Sequence, residues 1–240
     1  MTAMLKVEGL DAFYGKVQVL HGLSLEVDRG EILCLLGRNG AGKTTALKAI
    51  MGLVPPRAGA VMLDGVDISL LPPEDIAKEG IGYVPQGRRL FAELTVAENL
   101  EIGLMVRGAP RRARGRVLER VLDLFPVLAE RLHQRSGTLS GGEQQMLAIG
   151  RALCLEPAVL MLDEPTEGLM PAMIQRIREV VLAMRAEGVA VLLVEQRVEA
   201  VLPVADRVLF VENGRSRDCV AASDLGEDHA LLHRYVGVGA

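Results

Sequence analysis

The chain has 240 residues, half of them apolar and 24% charged, with 27 basic against 31 acidic side chains and a formal charge of −4. That length and composition fit one large α/β domain, or a core carrying a subdomain, with enough apolar surface to bury. The acidic balance counts against a nucleic-acid partner, which calls for a basic footprint, and no apolar run reaches the roughly 20 residues that span a bilayer.

The N-terminus, MTAMLKVEGL, alternates like a strand and carries Lys6 and Glu8, so it does not read as a signal peptide. A role at a membrane is therefore expected to come through a partner subunit. LKVEGL, LSLEV and EILCLLG read as strands, and KTTALKAIM as a helix stopped by Gly52. GAVMLDG and IGYVPQ are again strand-like, and a helical stretch poor in strand signals runs from about Val96 to Leu155. Within it, the arginine-rich run Arg107–Arg116 reads as a solvated loop feeding the helix RVLERVLDLF, an anionic partner being the alternative. AVLMLDE (158–164), VAVLLVE (189–195) and RVLFVE (207–212) are strands next to helices, and Asn213-Gly214 predicts a tight hairpin into RSRDCVA. Apolar strands separated by helices imply a parallel sheet covered on both faces, interrupted by the helical insert. Cys34, Cys154 and Cys219 fit neither a disulfide framework nor a metal-site spacing and read as buried or incidental thiols in a reducing compartment.

GRNGAGKT (37–44) follows a strand and opens a helix, which is the context a phosphate-binding loop demands. Gly37, Gly40 and Gly42 allow backbone N–H groups to converge on phosphate oxygens. Lys43 is suited to the β- and γ-phosphates and the Thr44 hydroxyl to Mg²⁺. Gly37, Arg38, Asn39, Gly40, Ala41, Gly42, Lys43, Thr44 and Thr45 are thus the candidate phosphate-binding residues of a nucleotide site. VLMLDEP (159–165) delivers Asp163 to the C-terminal end of a strand, where it can hold Mg²⁺ through water, and places Glu164 beside it to polarise an attacking water. TLSGGEQQMLAIGRAL (138–153) opens on a capping box, Ser140 to Glu143. The box leaves Gly141 and Gly142 unexplained, since glycine weakens a helix; close approach to a large anion would account for them.

GRNGAGKT, LSGGE and LMLDEP, in that order, resemble the nucleotide-binding subunit of ATP-binding-cassette transporters across essentially the whole chain. The resemblance implies an α/β fold: a P-loop NTPase (RecA-like) core with a mostly parallel sheet, N-terminal antiparallel strands and an inserted helical subdomain. The corresponding division is 1–88 and 157–240 for the two parts of the core and 89–156 for the subdomain. It also implies a head-to-tail pair of ATP-binding subunits, identical or related, with two ATP molecules between them and Ser140, Gly141 and Gly142 of each touching the γ-phosphate on the other. Integral membrane permease subunits, and indirectly a periplasmic substrate-binding protein, are the further implied partners, with the ATPase peripheral at the cytoplasmic face of the inner membrane. Under the same resemblance Tyr14, within GLDAFYGKVQVL, stacks on adenine. Gln86, ending IGYVPQ, touches Mg²⁺ and the attacking water.

Two positions depart from the family pattern. Met170 stands where a loop aspartate is usual, and Gln196 in VLLVEQR where a histidine follows the strand; none of His21, His133, His229 and His233 can replace it by position. Glu195 and Arg197 are expected to be helix-start and surface contacts. VPQGRRLF, the Gly-Leu-Met-Pro loop and LLVEQ resemble the ATPases of branched-chain amino-acid importers, and Thr-Glu-Gly those for urea and short amides. DISLLPPEDIAKEGIGYVPQ is similar to the lipopolysaccharide-export ATPase, a family that keeps the histidine. Non-transport cassette proteins usually carry two cassettes or a long coiled-coil insertion, and neither is seen here.

Overall fold

A computed structural model describes residues 3–106, 108, 110–226 and 230–237; Arg107 and the side chain of Arg111, both in the basic run, and His229 lie outside that set. β1 (Leu5–Tyr14) and β2 (Val17–Val27) form a hairpin. β4 (Ala58–Leu63) pairs with the other edge of β1 and with β5 (Val66–Asp67), giving an antiparallel sheet in the order β2-β1-β4-β5. The hairpin is longer than LKVEGL and LSLEV alone predict. Register shifts between Val7 and Phe13 break the two-residue alternation that marks a strand, so the sequence hides its far half.

The second sheet has six strands in the order β10-β9-β3-β8-β7-β6. β3 (Ile32–Leu36), β6 (Ile81–Val84), β7 (Val159–Asp163), β8 (Ala190–Val194) and β9 (Arg207–Glu212) run parallel, and β10 (Arg215–Ala221) closes one edge antiparallel through the Asn213-Gly214 turn. Every residue of β3, β7 and β8 is buried. Alternate side chains feed two cores, as the pleat requires. Cys34, Leu160, Leu162, Val191 and Leu193 face one core, with helices α6 (Gly141–Leu153) and α7 (Pro171–Ala186). Leu33, Leu35, Met161 and Leu192 face the other, with α1 (Lys43–Ile50) and the antiparallel sheet. Burying each large aliphatic side chain contributes about 1.5–3 kcal/mol, which is why these strands read as continuous apolar runs.

Between β6 and β7 lie α3 (Val96–Met105), α4 (Arg111–Leu124), α5 (Pro126–Glu130) and α6, while α2 (Pro73–Glu79) precedes β6. α6 is buried on most sides, and through Met146, Leu147 and Ile149 its apolar cluster runs without a break from the sheet to Leu100, Val121 and Leu128. The helical insert thus shares its core with the sheet. α4 begins at Arg111, earlier than the predicted start of the helix, because arginine is a good helix former. Arg114 pairs with Glu101 at 2.8 Å, and Arg120 pairs with Glu187. Two further helices, α8 (Val198–Val201) and α9 (Ala230–Tyr235), flank β9 and β10. Among the described residues, no helix is long and apolar enough to cross a membrane.

Candidate functional site

β3, β6, β7 and β8 all end on the same edge of the sheet, so the residues after them converge there. β3 leads into the phosphate-binding loop, and α1 begins at Lys43 with Gly42 as its N-cap. Two loop glycines are set by close approach. A Cβ on Gly37 would lie 2.2 Å from the Val211 carbonyl oxygen, and Gly42, at φ 105°, faces Gly214 of the β9–β10 turn. Gly214 itself donates to the Ala41 carbonyl at 2.8 Å, so that distant turn braces the loop from behind. The Lys43 ammonium donates to the carbonyls of Gly37 at 2.6 Å and Arg38 at 3.2 Å. Burial lowers its pKa, while the carboxylates of Glu164 and Asp163 act in the opposite sense.

Asp163, at the end of β7, is 1% exposed. Its Oδ1 accepts from the Thr44 hydroxyl at 3.0 Å and its Oδ2 from the Tyr83 hydroxyl at 3.4 Å. Burial raises its pKa, with the Thr44 bond opposing and Glu164 adding to the rise. A hydroxyl oxygen beside a carboxylate that burial destabilises is a donor set that fits a hard divalent cation, and such a cation would restore the ionised form.

Glu164 follows directly, at φ 50°. Its Oε2 accepts from Gln86 Nε2 at 3.1 Å and its Oε1 from Gln196 Nε2. The three strand ends therefore bring Gln86, Glu164 and Gln196 together over Lys43, in a cleft of about 560 Å³. Asn39 to Thr45 line the same cleft. Glu167 also lines it, accepting from Gln86 Nε2 at 3.0 Å; sequence reasoning passed over this carboxylate, although it lies three residues past Glu164. Tyr14 does not line the cleft. It is 46% exposed at the end of β1, and Val19 of β2 forms the wall on that side.

Ser140, Gly141 and Gly142 line a different cleft, shared with Leu169, Met170 and Met173. The capping box is complete: Glu143 Oε2 accepts from Ser140 N at 2.8 Å, and Ser140 Oγ accepts from Glu143 N at 3.4 Å. Gly142 has a packing reason in the same chain, because a Cβ there would lie 2.7 Å from Met173 Cγ. Gly141 faces the guanidinium of Arg88, which also reaches Gln144 at 3.5 Å. Only Gly87 thus separates Gln86 in the first cleft from the Arg88 side chain seated on α6. Met170 is 69% exposed at the entry to α7.

One expectation is corrected. Glu195 is not a surface contact: it is 3% exposed and accepts two hydrogen bonds from Thr166, from N at 3.1 Å and Oγ1 at 2.7 Å. β8 ends at Val194, and the chain turns Glu195 under the loop after β7 while Gln196 faces the cleft. Arg197 is exposed and precedes α8 as expected.

The sequence pattern described as ABC transporter matches residues 20–167. The high-affinity branched-chain amino acid transport ATP-binding protein BraG of Pseudomonas aeruginosa is 47% identical over 88% of this chain and 90% of its own length. The lipopolysaccharide export system ATP-binding protein LptB of Haemophilus influenzae is 35% identical over 98% of each chain. The dimeric structure of a bacterial ABC transporter cassette superposes with a TM-score of 0.81 at 25% identity, over 91% of this chain and 99% of that one.

Proposed function

Because the chain belongs to the ABC transporter family, we propose that it is the ATPase of an importer for branched-chain or other hydrophobic amino acids, or for related amides. As a family member it binds and hydrolyses ATP, and it works as a dimer with membrane permease subunits. The observation that carries the catalytic reading is the meeting of Gln86, Glu164 and Gln196 above Lys43. The similarity to BraG supports the choice of substrate class. Gln196 weighs against lipid export, where a histidine is the expected residue. The chain divides into core (1–88 and 157–240) and helical subdomain (89–156). It sits peripherally on the cytoplasmic face of the inner membrane, receiving its cargo signal through permeases from a periplasmic binding protein.

In this mechanism Lys43 and the backbone N–H groups of residues 39–45 hold the phosphates and neutralise the charge that develops during transfer. Mg²⁺ would be held by Thr44 and Asp163, with Gln86 as a further ligand, and would supply Lewis-acid stabilisation of the phosphate oxygens. Glu164 accepts the proton of the attacking water. Gln196 cannot titrate near neutral pH, so it orients water and phosphate by hydrogen bonds and leaves proton transfer to Glu164. Ser140, Gly141 and Gly142 close the site from the second subunit. Within one chain they line a separate cleft, a placement that supports completion in trans. Nucleotide binding pulls on Gln86, and Arg88 passes that movement to α6.

Tyr14 stacks on adenine from its exposed place beside the turn at Gly15. Tyr14→Ala is expected to raise the ATP KM roughly tenfold, the loss of about 1.4 kcal/mol of stacking, with kcat nearly unchanged. An unchanged KM in steady-state assays would assign Tyr14 to packing instead. The transport reading is tested by co-purifying the chain with its membrane subunits and measuring ATPase activity in proteoliposomes. Stimulation by a binding protein loaded with a branched-chain amino acid is expected; stimulation by lipopolysaccharide alone would overturn it.

A further inference from the structure

Three consecutive residues at the end of β8 grip the loop that carries Glu164. The Val194 carbonyl accepts from Glu164 N at 2.9 Å. Glu195 Oε1 accepts from both Thr166 N and Thr166 Oγ1. Gln196 then donates to the Glu164 carboxylate itself. The middle member is the unexpected one. Glu195 and Thr166 are 3% and 4% exposed, and among the described residues no cation forms an ion pair with Glu195. A carboxylate buried on these terms is a poor source of stability, since an apolar side chain of the same size avoids its desolvation.

Its position explains its presence. Glu164 has φ 50°, a left-handed conformation that a non-glycine residue keeps only when its surroundings hold it there. Thr166 is the next anchor along the loop after the strained residue, and its N–H and hydroxyl have one shared acceptor in Glu195. Loosening that anchor would free the loop to relax and let the Glu164 carboxylate swing away from its two glutamines.

We propose that Glu195 is a positioning residue for ATP hydrolysis, which clamps Thr166 and so aims the carboxylate of Glu164. The inference rests on Glu164 being the general base and adds to that reading a residue that never touches the substrate. It depends on Glu195 as a hydrogen-bond acceptor and not on its charge, so glutamine, whose amide oxygen can accept the same two bonds, is expected to replace it.

The test compares Glu195→Gln with Glu195→Leu in the full chain, each alone and combined with Glu164→Gln, reading kcat, ATP KM and single-turnover rates. Glu195→Gln is expected to stay within about threefold of the wild type. Glu195→Leu should lose roughly ten- to a hundredfold in kcat, the scale of a misplaced catalytic group, with KM within about twofold. In the Glu164→Gln background Glu195→Leu should cause no further loss, because the group it aims is already gone. The proposal is overturned by wild-type kcat in Glu195→Leu, by equal losses in the leucine and glutamine variants, or by a loss that persists beside Glu164→Gln. If Glu195→Leu does not fold, Thr166→Val carries the test: a several-fold fall in kcat at constant KM supports the clamp, and an unchanged kcat refutes it. Wild-type turnover in Glu164→Gln alone would instead remove the general base, a failure distinct from that of the clamp.

Discussion

Replacing Glu164 by glutamine is expected to lower kcat for ATP by about 10²- to 10⁴-fold, the range a positioned general base contributes, while leaving ATP binding intact. The glutamine keeps the size of the side chain, and its single amide oxygen can still accept from one of Gln86 and Gln196, which now reach separate oxygens of the carboxylate. What it loses is the ability to take a proton from water. Neither glutamine can supply that function, and Asp163, whose oxygens already receive the hydroxyls of Thr44 and Tyr83, is directed elsewhere. Glu167 also lines the cleft and accepts from the same Gln86 amide. Turnover at the wild-type rate would remove Glu164 from the chemistry.

Lys43→Met should reduce kcat/KM by at least about 10³-fold, since removing a single transition-state donor already costs about 10²- to 10³-fold and this one carries a full charge. Methionine is the sharper choice than alanine because Lys43 is 5% exposed and truncation would leave a void beside the Gly37 and Arg38 carbonyls. Its ammonium rests on those two carbonyls, which hold the charge at the loop. Loss of turnover together with weaker ATP binding, at an unchanged melting temperature, is the expected result in coupled-enzyme and nucleotide-binding assays. Normal turnover would refute the phosphate-site assignment.

The parts of the site that lie in contiguous stretches were legible in the sequence. A strand, a glycine loop and a helix N-terminus form one local unit, so GRNGAGKT announces itself, and LMLDEP does the same for Asp163 and Glu164. Gln86 and Gln196 were added through the resemblance to ATP-binding-cassette subunits, whose pattern puts functional residues at those two strand ends. What escaped were contacts set by residues far apart in the chain. Gly142 looked like room for an anion, yet Met173 fills the space beside it. Gly214 looked like a hairpin turn only, yet it also braces Ala41. Glu195 looked like one of three polar residues at a strand tip. Nothing in VLLVEQR says that the chain turns after Val194 and carries one of them inward, beneath Thr166 in a loop 29 residues earlier in sequence.

In the proposed composite closure, two copies, or two related subunits, sandwich ATP, with Ser140 of each completing the cleft of the other. The Glu164→Gln chain, expected to bind ATP and turn it over slowly, isolates that step. Sedimentation velocity with and without ATP and Mg²⁺ measures it most directly. A monomer that becomes a dimer only with nucleotide, and that stays monomeric when Ser140→Arg is added, is the expected result. A Glu164→Gln chain that binds ATP stoichiometrically yet remains a monomer, or dimerises equally well with Ser140→Arg, would contradict it.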